Sequence, residues 1–292
     1  MSELISSESI AYLGPTGTYT ESAALACAQW LSQTRGRTLP ILPYPSIAQA
    51  IRAVAKQEAQ FAVVPVENST EGSVRTTLDT VWQLEALQIQ QALVLPISHA
   101  LLSRASSLEA IETVYSHPQA LAQCQGWLET FLPGVPLIPT NSTTEALQHV
   151  DDNPTIGAVS SQRAAQLYNL PIVAHPINDL PDNCTRFWVI SLEPAITGKH
   201  TSLAFSLPAN VPGSLVKTLE VLAKRNINLS RVESRPTKRA VGDYLFFVDL
   251  EADLQSEAVQ SALPELKSCT ETLKILGSYN IQTVIDGQLK PE

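Results

Sequence analysis

Residues 182–190 read DNCTRFWVI, and the way this stretch divides decides how the rest of the chain is read. Phe187-Trp188-Val189-Ile190 is a short run of large apolar side chains, the pattern of a buried strand. Its approach is polar: Asn183, Thr185 and Arg186 place an amide, a hydroxyl and a guanidinium within four positions, with no Lys or His beside them. Hydrogen-bonding groups at the mouth of a buried strand point to a ligand cleft at the end of a sheet. Their chemistry differs from that of a protease or a metalloenzyme.

Upstream of this stretch, short apolar runs alternate with helix-like segments. IAYLG (10–14) reads as a strand, followed by a Gly/Pro turn and the Ala-rich helix ESAALACAQWL (21–31). PILPY (40–44) is a second strand, and Ser46 is placed to cap the amphipathic helix IAQAIRAVAKQ (47–57). FAVVPVEN (61–68) is a third strand. TVYS (113–116) leads into a helix ALAQCQGWLETF (120–131), and TIGAVS (155–160) into SQRAAQLY (161–168). This rhythm predicts an α/β fold with an open, largely parallel sheet. Most of the polar clusters follow the carboxyl ends of strands, where such sheets place their ligands.

Downstream, SLEPAITGKHT (191–201) has Pro, Gly and no apolar periodicity, so a domain boundary falls near residue 195. Beyond it the order is β-α-β-β-α-β: SLAFSLP, SLVKTLEVLAKR, NLSRVESRP, DYLFFVDLEA, SEAVQSALPELKSC and TLKILGSY. That is the order of a ferredoxin-like module.

The bulk properties exclude several classes. The chain has 292 residues, 44% hydrophobic and 16% charged, the balance of a core-forming globular protein. A net charge of −9 argues against a nucleic-acid partner, because phosphate neutralisation needs clustered Lys and Arg. The basic run Arg235-Pro236-Thr237-Lys238-Arg239 lies between Glu233 and Asp243 and reads as a solvated loop. There is no apolar run of membrane-spanning length, and MSELISSESI has no signal-peptide pattern. Cys27, Cys124, Cys184 and Cys269 are scattered and form no CxxC pair, which points to reduced thiols in the cytoplasm and no zinc site.

Four polar clusters carry the candidate chemistry. In GPTGTYTES (14–22), free backbone N–H groups at a helix start and the hydroxyls of Thr16, Thr18 and Thr20 suit an anion. The spacing is neither that of a P-loop nor GxGxxG, and a tight turn with a capping Thr explains the same residues. In PVENSTEGSV (65–74), Ser73 reads as a helix cap, whereas Asn68 precedes the helix by several residues and remains a site candidate. In YSHPQALAQC (115–124), Ser116 and Gln123 are placed to face a cleft; His117 has no evident partner and reads as structural, with Ser116 or His117 capping the Pro118 helix. NSTTEA (141–146) has capping-box spacing. No nucleophile–base pair or metal-ligand cluster is apparent. A cleft of amides and hydroxyls with Arg186 as its guanidinium suits a small polycarboxylate.

GPTGTYTESAA, PVENSTEGSV, SHPQALAQC and DNCTRF, in this order, resemble the signature blocks of the prephenate dehydratase family. PGSLVKTLEVLAKRNINLSRVESRP resembles the ACT regulatory domain attached to it. The resemblance implies a catalytic region of two α/β lobes (8–194), like a periplasmic binding protein, and an ACT module (199–285). It implies conversion of prephenate to phenylpyruvate, water and carbon dioxide without metal or organic cofactor. By motif position Thr185 is the catalytic threonine and Arg186 the carboxylate anchor. Asn68, Ser116 and Gln123 serve catalysis or binding, with Glu67 in the same block, and Thr16, Thr18 and Phe187 are substrate-binding positions. ACT modules of the family pair between subunits, implying a homodimer or homotetramer. They bind L-phenylalanine through the turn at Gly213-Ser214-Leu215 and the segment Glu233-Ser234-Arg235-Pro236. Tyr19 stands where Phe is common and Ser214 where Ala is usual. The alternatives are arogenate dehydratase, the same chemistry on the amino analogue, and a non-catalytic amino-acid sensor.

Overall fold

A computed structural model describes residues 8–240, 242–285 and 288–291; most of MSELISSESI lies outside them. The DNCTRFWVI stretch forms the strand Cys184–Ser191, near the centre of an eight-stranded sheet. Across this sheet run Gln288–Pro291, Ile281–Ile285, Gln88–Pro96, Cys184–Ser191, Phe61–Asn68, Ile10–Leu13 and Ile41–Tyr44, with the short Gly72–Ser73 strand paired to Phe61–Asn68. Ile10–Leu13 is parallel to both neighbours, as the βαβ rhythm requires. Cys184–Ser191 is antiparallel to both of its neighbours, so the sheet is mixed rather than largely parallel. The reason is its route: it returns from a second lobe instead of following a crossover helix beside its neighbours.

That second lobe has five strands in the order Ile172–Ala174, His99–Ser103, Ile156–Ser161, Thr113–Ser116 and Leu137–Pro139, again of mixed direction. The chain crosses between the lobes after Pro96 and again between Ala174 and Cys184. Ser46 caps the helix Ile47–Ala55 through Gln49 N–H, as its position predicted. The single helix expected over 120–131 breaks at Cys124 into Pro118–Gln123 and Gln125–Phe131. The second helix begins where the N–H groups of Gly126 and Trp127 donate to the Asp179 carboxylate at 2.8 and 2.9 Å.

The C-terminal module has the predicted β-α-β-β-α-β order: His200–Ser206, Ser214–Ala223, Leu229–Pro236, Tyr244–Leu250, Glu257–Cys269 and Thr272–Tyr279. Its sheet runs Leu229–Pro236, Tyr244–Leu250, His200–Ser206, Thr272–Tyr279. Alternation along these strands makes two faces. Leu203, Phe205, Val248 and Leu250 pack with the module's helices. Ala204, Leu245, Phe247, Leu276 and Tyr279 face the other way and share one core with Trp188, Ile190 and Ile89 of the first lobe. Burying a side chain such as Phe247 contributes about 1.5–3 kcal/mol, so the module is fastened to the Cys184–Ser191 strand by a true core.

The approach is close. A Cβ on Gly277 would lie 2.7 Å from the Ile89 carbonyl oxygen, and its φ of +131° suits glycine. After Tyr279 the chain leaves the module. Ile281–Ile285 pairs parallel with Gln88–Pro96, so the residues at the end of the expected 199–285 span build the first lobe's sheet.

Candidate active site

Thr185 and Asn68 are register partners on adjacent strands. Both are nearly buried, and both line a cleft of about 280 Å³ with Tyr19, Thr20, His99, His117, Gln123 and Phe187. Beside it a second cavity of about 560 Å³ is lined by Gly14, Pro15, Thr18, Asn141 to Glu145 and Tyr168. The two share Leu13, Tyr19, Thr20, His117 and Thr143, so they form one depression between the lobes.

Asn68 is the hub. Its Nδ2 donates to Asn183 Oδ1 and Thr185 Oγ1, both at 2.9 Å, and lies 3.2 Å from the Cys184 carbonyl oxygen. The Asn183 amide donates to Gln123 Oε1 at 2.9 Å, the Gln123 amide to Thr70 Oγ1 at 3.1 Å, and the Thr70 hydroxyl to Asn68 Oδ1 at 2.6 Å. The four side chains close a ring. Every donor in it has one acceptor ahead of it, so the amide orientations fix one another, and such rings polarise cooperatively. Gln123 belongs to the second lobe and Asn68 to the first, so the ring also spans the cleft.

His99 completes the ring. Its Nε2 lies 3.0 Å from Gln123 Oε1, which is already an acceptor, so the imidazole is the Nε2–H tautomer. Burial lowers the His99 pKa; the bond to Gln123 opposes this only in part. His99 is therefore neutral near pH 7 and supplies a donor without charge. Tyr19 packs edge-on against it and donates to the Ser98 carbonyl at 2.7 Å; burial pushes the phenol pKa up. Among the described residues the lining of the smaller cleft has no Asp, Glu, Lys or Arg.

Thr185, Asn68, Gln123 and Phe187 thus come together. Thr18 caps the helix Tyr19–Arg35 by accepting from Glu21 N–H at 3.3 Å and lines the outer cavity. Thr16 sits 3.5 Å from the Tyr12 hydroxyl, outside both linings.

Ser116 is fully buried and donates to the Val159 carbonyl at 2.6 Å, away from the cleft, because the neighbouring strand offers an acceptor at its position. His117 caps the Pro118 helix through Gln119 N–H and also lines the cleft. Glu145 N–H donates to Ser142 Oγ at 3.0 Å, but the Glu145 carboxylate accepts from Asn141 N–H at 2.9 Å instead of from Ser142, so the expected capping box is only half made, and across a turn that precedes the helix Leu147–Asp152. Ser73 does not cap the helix Arg75–Gln83; its hydroxyl donates to Glu233 of the module.

The largest departure concerns Arg186. Successive side chains on a strand face opposite ways, so with Thr185 in the cleft, Arg186 faces the C-terminal module. Its Nη1 lies 3.3 Å from Asp249 Oδ2 and 3.7 Å from Glu67 Oε2, and neither Arg186 nor Glu67 lines the cleft. The expected anchor and the expected site carboxylate instead pair with one another on the far side.

The segment Glu233 to Pro236 also meets the first lobe. Glu233 accepts from Ser73 at 3.0 Å, and Arg235 and Lys238 bind Asp79 at 3.2 and 2.7 Å. The basic run therefore docks through Arg235 and the tip of Lys238, while the Lys238 and Arg239 side chains are otherwise largely exposed, as expected of a solvated loop. Gly213, with φ +87°, precedes the helix Ser214–Ala223 and leaves its first N–H groups without a side-chain cap, with Ser214 and Leu215 opening the helix. The strand that leads into this turn ends at Ser206, opposite Leu245, and Pro236 lies opposite Tyr244, so the two segments approach from the same end of the sheet.

Sequence reasoning does not single out His99 or Thr70, and it names Asn183 only as one of the polar groups before the strand. Asn183 was visible as an amide two residues before Thr185; His99 follows an apolar run that was not read as a strand, Gln88–Pro96.

Comparison with known proteins agrees with this geometry. The family described as prephenate dehydratase matches residues 10–195, and the ACT domain matches residues 201–266. The chain is 44% identical to a bifunctional chorismate mutase/prephenate dehydratase of Aquifex aeolicus, over 92% of this chain and 73% of that protein. It is 36% identical to a prephenate dehydratase of Lactococcus lactis, over 94% and 98%. A crystal structure of prephenate dehydratase in complex with L-Phe from Arthrobacter aurescens superposes with a TM-score of 0.82 at 33% identity, covering 97% of this chain and 92% of that one. With the two-lobed fold, the cleft between its lobes and the appended module, these matches make the chain a member of the prephenate dehydratase family with a C-terminal ACT domain.

Proposed function

We propose that the protein catalyses the decarboxylating dehydration of prephenate to phenylpyruvate, in phenylalanine biosynthesis, under feedback control by L-phenylalanine. The observation that carries the reading is the Thr185 hydroxyl held by Asn68 in a cleft lined by neutral donors. Prephenate is a dianion and brings the negative charge, so the site needs donors and no carboxylate of its own.

The ring carboxylate leaves as carbon dioxide, its C–C bonding pair entering the ring. The ring C–O bond breaks at the opposite carbon, and the departing hydroxyl takes one proton and leaves as water. Aromatisation drives the reaction. The barrier lies in charge building on the departing oxygen, so a donor aimed there is the main electrostatic aid.

Thr185 fills that role. Its oxygen accepts from Asn68, which leaves its own proton for the departing hydroxyl and makes it a better donor. A threonine is too weak an acid to ionise near neutral pH; it stabilises the departing oxygen by hydrogen bonding, and the one proton that the reaction consumes in making water comes from the solvent. Gln123, His99 and Thr20 complete the polar lining, and the lobes shield the reaction from water. In the adjoining cavity the Thr18 hydroxyl donates to the Pro15 carbonyl, Gly14 N–H to the Tyr44 carbonyl and Gly17 N–H to the Glu21 carboxylate, so that turn is not an open anion cradle, and the second carboxylate is assigned to the side of Thr143, which borders both spaces.

The ACT module takes L-phenylalanine near Gly213 to Leu215 and Glu233 to Pro236, and two modules join subunits into a homodimer or homotetramer. Val232, half exposed on the edge strand Leu229–Pro236, supports a pairing surface there. Free thiols at Cys184 and Cys269, both partly exposed, support a reducing compartment, the cytoplasm; no helix among the described residues is long and apolar enough to cross a membrane.

The test is formation of phenylpyruvate from prephenate by the purified chain, with kcat/KM compared on arogenate. Preference for arogenate changes the substrate assignment. No product from either, with phenylalanine still bound, leaves the sensor reading.

A further inference from the structure

On the side of the Cys184–Ser191 strand away from the cleft, two of its residues are held by two residues of the ACT module. Arg186 Nη1 meets Asp249 Oδ2 at 3.3 Å, and the Trp188 ring lies under the Arg231 guanidinium at 5.5 Å. Arg231 Nη1 reaches the same Asp249 oxygen at 3.3 Å, and Ser202 donates to the other oxygen at 2.6 Å. Asp249 is only 2% exposed.

A carboxylate here breaks the pattern of its strand. YLFFVDL alternates faces so that Leu245, Phe247 and Asp249 look toward the first lobe, and the first two join its core. A buried carboxylate at an apolar position is costly unless its partners compensate it. Here those partners include Arg186, the residue next to Thr185.

We infer that Asp249 is a positioning residue for the dehydration: it holds Arg186 from the ACT module and thereby fixes the placement of Thr185 in the cleft. The inference rests on the dehydratase reading. It assigns Arg186 to strand placement in place of substrate binding.

The backbone explains why such a hold matters at this point. Pairing between Cys184–Ser191 and Phe61–Asn68 is regular from Ile190 to Phe187, then shifts between Phe187 and Arg186. Phe187 lies opposite Pro65, which has no N–H to donate. Thr185 and Arg186 therefore sit beyond an irregularity in the ladder on that side. Pairing with Gln88–Pro96 on the other side runs unbroken from Cys184 to Val189, and the side-chain contacts of Arg186 with Asp249 and Glu67 add a restraint beyond the shift on the Phe61–Asn68 side. A misplacement of about 1 Å in a reacting group costs on the order of 100-fold in rate.

The experiment compares Asp249→Asn, Arg231→Met and the double variant, with kcat and KM on prephenate, thermal unfolding, and the Thr185 γ-methyl NMR shift. Asn keeps an acceptor for Ser202 but weakens the hold on Arg186. Met keeps the packing on Trp188 and leaves Arg186 as the one guanidinium on Asp249, beside the Ser202 hydroxyl. The double variant removes one buried charge of each sign, so it stays foldable if Asp249→Asn is not.

The expected result is a kcat about 10- to 100-fold lower in Asp249→Asn and in the double variant, with KM within about twofold. Their Thr185 methyl signal moves. Arg231→Met lowers the unfolding temperature but keeps kcat within about threefold and the methyl signal in place.

Equal kcat losses in Arg231→Met and Asp249→Asn would overturn the inference, as would a folded double variant with parental kcat. A raised KM at unchanged kcat would return Arg186 to the substrate. If the parent chain does not turn over prephenate, the dehydratase reading fails, and the methyl signal still decides whether Asp249 sets Thr185.

Discussion

Asn68 Nδ2 lies 2.9 Å from Thr185 Oγ1, and the same amide group lies 2.9 Å from Asn183 Oδ1. One side chain thus orients the Thr185 hydroxyl, the proposed donor, and ties it to the ring through Asn183, Gln123 and Thr70. The hydroxyl is a directed donor because the amide supplies the bond its oxygen accepts.

Thr185→Ala is expected to lower kcat about 10²–10³-fold, the effect of losing one transition-state hydrogen bond of about 2.7–4 kcal/mol, with little change in KM. Thr185→Ser keeps the donor and much of the rate. In a double-mutant cycle, Asn68→Ala and Thr185→Ala are strongly non-additive, because each removes the same contact. Steady-state kinetics of the three variants check this; full additivity would separate the two residues.

How much of this was legible in the sequence follows from what a strand's neighbours contribute. The strand at Phe187–Ile190, the module order after residue 200 and the Ser46 cap depend on local pattern, and all three are present. The direction of Cys184–Ser191 depends on a return from the second lobe, which no local pattern records. Alternation would have put Arg186 opposite Thr185 once the strand was known, but which side held the cleft needed the fold. The sharing of Asp249 between lobe and module, and the addition of Ile281–Ile285 to the first sheet, are contacts between distant segments.

Ser116→Ala is expected to act on stability, not turnover. Removing the hydroxyl leaves the buried Val159 carbonyl short of a partner, at a cost of about 1–3 kcal/mol. Thermal unfolding is then several degrees lower, while kcat and KM on prephenate stay within about twofold. A large fall in kcat at unchanged stability would put Ser116 back in the reaction.

The pH dependence of folding has a component from His99. Burial holds its pKa below the ordinary value of 6.5, so below pH 6.5 the unfolded chain binds a proton that the folded chain resists. Stability is therefore lost as pH falls from about 6.5 toward the folded pKa. His117, lowered by burial as well, contributes in the same sense. Asp79, whose carboxyl is held low by Lys238 and Arg235 against the opposing effect of burial, contributes only below about pH 4. His99→Gln keeps a donor toward Gln123 and removes the titration. Unfolding temperatures at pH 7.5 and 5.5 should differ less in this variant than in the parent.

Regulation has its own point of attack at Asp79. Arg235 lies within the segment that meets phenylalanine in the proposed reading, and its guanidinium binds Asp79 with Lys238 alongside. Asp79 belongs to the helix Arg75–Gln83, which follows the loop that begins at Asn68. An effector that shifts Arg235 therefore pulls on a helix joined directly to the catalytic hub. Asp79→Asn weakens that link while leaving the cleft and the module's own fold alone. Phenylalanine should still bind, as calorimetry would report, but inhibition of prephenate turnover should need at least about fivefold more of it or reach a lower maximum. Unchanged inhibition would route the signal elsewhere, and the Asp249–Arg186 contact is then one of the bridges left between the module and the Cys184–Ser191 strand, with Arg231 on Trp188 and the shared core.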